Sequence, residues 1–71
     1  MTNKAKLFEA IKRQGISRTQ FAAAMGFSMP TFYSRVNGVS EFTAAEIITA
    51  KTVLRLTDAQ RNAIFFARKG E

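Results

Sequence analysis

The 71 residues include no cysteine, no histidine and no tryptophan, and a single proline. Without cysteine there is no disulfide framework and no thiolate metal site. Without histidine the usual zinc ligand and the commonest general base are missing. Ser, Thr, Asp and Glu are present, but the acids are scattered along the chain and no nucleophile has an evident base beside it. An enzyme, a bound metal, a cofactor and a small-molecule substrate are therefore not expected. Glycine and proline are too few for a disordered or fibrous chain. Long apolar runs are also missing: the longest, Phe21 to Phe27, is too short to span a bilayer. No apolar segment follows Lys4 and Lys6 as a signal peptide would require, so no membrane association and a cytoplasmic location are expected.

The scarcest charge is the negative one. Five Asp plus Glu face eleven Lys plus Arg, a formal net charge of +6. On so small a body this produces a positive field that attracts polyanions. Hydrophobic residues make up 46% of the chain and include seven Phe, enough for one small core, and residues 1–71 are read as a single domain. A chain of this length hides only about 60% of its unfolded surface.

Three times a Ser or Thr is followed three residues later by Glu or Gln: Ser17 with Gln20, Thr43 with Glu46, and Thr57 with Gln60. Such pairs satisfy reciprocal orphan amides at a helix start. Ile16 and Phe21, Phe27 and Phe32, and Phe42 and Ile47 are spaced to staple across a capping residue, with Ser28 as the cap of the middle pair and Thr2 or Asn3 that of the first helix. Gly15, Gly26 and Gly38 each fall just past a helical pattern, where a left-handed residue is wanted. The spacing predicts five helices, over Asn3–Gln14, Arg18–Met25, Met29–Val36, Ala44–Leu54 and Asp58–Ala67, with Pro30 in a first turn where its missing donor is tolerated. No segment alternates like a half-buried strand, so an all-α fold follows. The core is expected from Leu7, Phe8, Ile11, Phe21, Ala22, Met25, Phe27, Phe32, Val36, Ile47, Ile48 and Leu54.

Only Gly26, Phe27 and Ser28 separate the second and third helices, a connection that forces a sharp angle and reads as a helix-turn-helix. In "ISRTQFAAAMGFSMPTFYSRVNG" the small Ala22, the turn Gly26 and the closing Asn37-Gly38 stand at the offsets of the lambda-repressor-like helix-turn-helix family, which the chain resembles. "SEFTAAEI" and "LTDAQRNAIFF" look like small regulators of temperate phages of Gram-positive bacteria, some of which modulate a phage repressor by binding it.

The resemblance implies a compact five-helix domain whose third helix enters the major groove of operator DNA, as in Cro-type transcriptional regulators. The family often has Gln where this chain has Arg18 and Met29, and an apolar residue where Arg35 stands. Arg18 and Arg35 are expected on phosphates, helped by the positive start of the third helix. Base readout is expected from Ser28, Thr31, Tyr33, Ser34 and Asn37, with Met29 and Pro30 offering apolar contact to thymine methyls. That set lacks a bidentate Arg or Gln, so shape and phosphate contacts should outweigh base recognition.

Each residue also has an ordinary reading. Tyr33 suits a half-buried ring, Asn37 suits a helix terminator, and the cations suit a solvated surface. Ile64, Phe65 and Phe66 are consecutive and cannot all face one core. They are a candidate contact for a homodimer or a partner repressor, or else a helix folded over the core. The apolar Met29, Pro30 and Tyr33 would suit a protein groove as well as a base edge, so a modulator that binds a partner repressor is the competing expectation.

Overall fold

Helix starts in this chain are set by their own side chains. In the computed structural model, which describes residues 2–67, five helices run α1 Lys4–Arg13, α2 Arg18–Met25, α3 Met29–Val36, α4 Ala44–Leu54 and α5 Asp58–Phe65, with no strand among the described residues. Asn3 caps α1 by accepting from the Lys6 N–H at 3.0 Å. Reciprocal capping boxes close α2 through Ser17 and Gln20, α4 through Thr43 and Glu46, and α5 through Thr57 and Gln60. Each cap is worth about 1 kcal/mol against alanine. Gly26 ends α2 at φ 77°, a left-handed conformation that a side chain would resist.

α2 touches α1, α3 and α4, while α5 closes the bundle against α1 and α4. The Asn3 N–H donates to the Ile64 carbonyl at 2.6 Å, so the first helix start is fastened to the last helix. The radius of gyration is 11.0 Å, which matches the roughly 11 Å of a fully folded chain of this length.

The seven phenylalanines divide into two groups and one outlier. Phe21 packs edge-on to Phe32 at 5.9 Å, and Phe32 reaches Phe8 at 6.4 Å, joining α1, α2 and α3. Phe42 packs edge-on to Phe65 at 5.0 Å and reaches Phe27 at 6.2 Å, joining the α2–α3 turn to the lead of α4 and to α5. Phe66, the cap of α5, stays outside. Leu7, Phe21, Phe32 and Leu54 are fully buried, each contributing roughly 2 kcal/mol or more by leaving water.

Two core expectations need correction. Ile48 is 64% exposed, because α4 carries apolar residues on both its inner and its outer side and its pattern could not say which face turns inward. Phe8, Met25 and Phe27 pack against the core without being fully covered, whereas Ala10, Phe42, Ala50, Ile64 and Phe65 are buried. α5 also stops at Phe65 rather than at Ala67.

Candidate nucleic-acid interface

The outer stripe of α3 is short. Pro30, Tyr33 and Asn37 are exposed at spacings of three and four, the rhythm of one helix face. Met29, Thr31, Ser34 and Arg35 are half-buried. Most polar groups of this segment already have partners. Ser28 Oγ accepts from the Thr31 N–H at 3.3 Å and donates to Thr31 Oγ1 at 3.0 Å, so cap and first turn satisfy each other. Ser34 and Ser40 share a hydroxyl hydrogen bond of 3.0 Å. Pro30 has no N–H and the Thr31 N–H is taken by the cap, so the start of α3 keeps only the Met29 N–H of its first three positions for an anion.

Arg35 is committed elsewhere. Its Nε donates to Glu46 Oε1 at 3.0 Å and its Nη2 to Oε2 at 3.3 Å, with only 21% of each side chain exposed. Its guanidinium also lies 5.6 Å from the Phe27 ring centre. Arg35, expected on a phosphate, has its guanidinium engaged within the chain, where the side chain fastens α3 to the first turn of α4. The Arg35 hydrogen bonds hold the Glu46 carboxyl below its ordinary range, against a smaller opposing effect of burial. Glu46 Oε1 also accepts the Thr43 N–H at 2.9 Å, so one carboxylate caps its helix and pins its neighbour.

Arg18 stands differently. It is exposed, and its guanidinium carbon lies 3.8 Å from the centre of the Phe8 ring, in cation–π contact. Lys4 Nζ lies 5.8 Å from the same ring and donates to Asn37 Oδ1 at 3.1 Å. Lys4, Phe8 and Lys12 recur every four residues along one side of α1, and Phe8, Lys12 and Arg18 line one shallow depression. The Phe8 ring thus holds Lys4 and Arg18, with Lys12 in the adjoining depression, and Lys4 reaches the C-terminal end of α3. None of the three has an ion-pair partner among the described residues, whereas Arg13, Lys51 and Arg61 are paired with Glu9 or Asp58.

Sequence reasoning placed Phe8 in the core and passed over Lys4. The signal was present in the four-residue spacing of Lys4, Phe8 and Lys12, but the partner of the ring, Arg18, comes from another helix. Ile64 and Phe65 are buried within the chain, which leaves Phe66, 55% exposed, as the member of that trio available to another molecule. Among the described residues no cluster of acids could hold a metal ion, and no helix is long and apolar enough to cross a membrane.

These features define a small five-helix chain with one cation-rich, aromatic-centred face. Compared with known proteins, the chain matches no protein-family model, no curated protein and no solved structure.

Proposed function

We propose that this chain is a DNA-binding transcriptional regulator of the lambda-repressor-like, Cro-type kind, in which α2 and α3 act as a helix-turn-helix and α3 enters the major groove of operator DNA. The observation that carries this reading is the convergence of Lys4 and Arg18 on Phe8, with Lys12 lining the same depression as Phe8 and Arg18, next to the exposed stripe of α3. Held ammonium and guanidinium groups at the flank of a recognition helix suit phosphates on either side of a groove. Tyr33 and the side-chain nitrogen of Asn37 then carry what base contact there is, because Ser28, Thr31, Ser34 and Asn37 Oδ1 are already hydrogen-bonded within the chain. Affinity comes chiefly from phosphates and DNA shape, and specificity is modest.

The test is a salt-dependent binding titration over many duplex sequences. Substituting Arg18 by alanine weakens binding to every sequence and reduces the salt slope by about one. Substituting Tyr33 changes the ranking among sequences. Unchanged affinity in both variants at low salt would falsify the reading.

One observation favours a second reading. With so many α3 hydroxyls and Arg35 bound internally, the outer stripe of Pro30 and Tyr33 offers more apolar surface than hydrogen bonding, which suits a protein groove. In that reading the chain modulates a partner repressor by contact, and complex formation changes little with salt.

A further inference from the structure

A groove of about 310 Å³ is bounded by α1, the end of α4 and α5. Its floor is apolar: Ala10, Leu54 and Ile64 are buried there, and Leu56 and Ala63 are half-buried. Two of its walls are tied together, because the Asn3 N–H at the start of α1 donates to the Ile64 carbonyl of α5 at 2.6 Å. The groove is thus a standing feature of the fold, with a volume at the lower end of small-molecule sites. At interior packing density it takes a body of roughly a dozen heavy atoms.

The rim decides the chemistry of that body. Lys6, Arg13 and Arg55 stand on it against Glu9, all four exposed. Glu9 is occupied by Arg13 at 2.7 Å, whereas Lys6 and Arg55 have no ion-pair partner among the described residues. A hydrated inorganic anion would meet these cations and leave the floor wet. A neutral apolar molecule would cover the floor and leave the cations unanswered. An apolar body with one anionic end satisfies both. Gln60, also on the rim, accepts the Thr57 N–H through its Oε1 at 2.8 Å, which leaves its side-chain N–H groups for a ligand oxygen. Arg55 stands at φ 52°, left-handed backbone in which a side chain is strained, and such strain gathers at ligand clamps.

We propose that this groove binds a small amphipathic carboxylic acid, its hydrocarbon body on the apolar floor and its carboxylate on the forked donors of Arg55, with Lys6 adding positive field. This holds whether or not the chain binds DNA, because Lys6, Glu9, Ala10 and Arg13 recur on a different side of α1 from Lys4, Phe8 and Lys12. For a dozen heavy atoms the dissociation constant falls near about 1 mM.

Titrating the isotope-labelled full chain with phenylbutyrate, read through amide chemical shifts, tests it. The amides of Ala10, Leu56, Gln60 and Ala63 should shift together and saturate with a midpoint of about 1 mM. Phenylbutanol, the same body without the charge, should bind about 10-fold more weakly, and acetate, the charge without the body, should not saturate. Arg55→Gln should weaken phenylbutyrate about 10-fold and Lys6→Gln about 3-fold, and both, at exposed positions, should keep the helical circular dichroism. No saturation by about 10 mM, saturation confined to the amides around Phe8 and Arg18, or an affinity indifferent to Arg55→Gln would each overturn the proposal.

Discussion

The first and fourth helices use charge in opposite ways. Around α1 and the start of α2, Lys4, Lys6, Lys12, Arg13 and Arg18 face Glu9 alone. From Glu41 to Ala67, Lys51, Arg55 and Arg61 are matched by Glu41, Glu46 and Asp58. Both halves rest on a cluster of three phenylalanines, so their difference is not one of packing. In the C-terminal half acids serve as fasteners, with Glu46 on Arg35 and Asp58 on Lys51 and Arg61. In the N-terminal half cations are held by an aromatic ring, which positions them without neutralising them.

The largest effect should erase the contrast. Phe32→Ala and Phe65→Ala each remove a buried ring from one cluster and cost about 3–5 kcal/mol, much of the stability of so small a domain. Thermal unfolding should show a single transition at lower temperature in both variants. Two separable transitions would mean that the halves fold independently.

A triple change of Lys4, Lys12 and Arg18 to alanine should leave stability within about 1 kcal/mol and lower the salt slope of DNA binding by about three. Arg61→Ala, on the balanced side, should leave that slope almost unchanged, and equal losses from both would remove the distinction between the halves.

Acid should act on the balanced half. Glu46 is held below the ordinary carboxylate range by Arg35, and Asp58 by Lys51, so their contribution is present above the unfolded carboxylate pKa and is lost as pH falls through their folded values. The midpoint of unfolding should therefore drop below about pH 4.5, and Glu46→Gln should flatten that decline while costing roughly 1 kcal/mol at neutral pH. Following the melting temperature across pH for both proteins checks the sign.

The smallest effect is a gain. Arg55 ends α4 at φ 52°, left-handed backbone that glycine adopts with less strain, so Arg55→Gly should stabilise by about 0.5 kcal/mol in denaturant titration.

Local chemistry made the helices legible. The Ser17, Thr43 and Thr57 boxes and the Ser28 cap all form where their spacing predicts, and α2, α3 and α4 keep their expected bounds. What stayed hidden needed partners distant in sequence. Ile48 could not be assigned a face in a helix with apolar residues on both its inner and its outer side, and Arg35 reads as a surface cation until Glu46 arrives from eleven residues away. Phe8 reads as core until Arg18 and Lys4 come to lie over it. The stop at Arg55 carries no glycine to announce it.

Gly26 has a consequence for chemical synthesis. A β-carbon placed there would meet nothing within 4 Å, so the obstacle to a side chain is handedness and not space. A mirror-image residue is at ease at φ 77°, and D-alanine would keep the turn while giving the unfolded chain fewer shapes to explore, a gain of about 0.4–1 kcal/mol. At 71 residues the chain is short enough to assemble from peptides, and a turn between two helices could be stiffened without touching either of them.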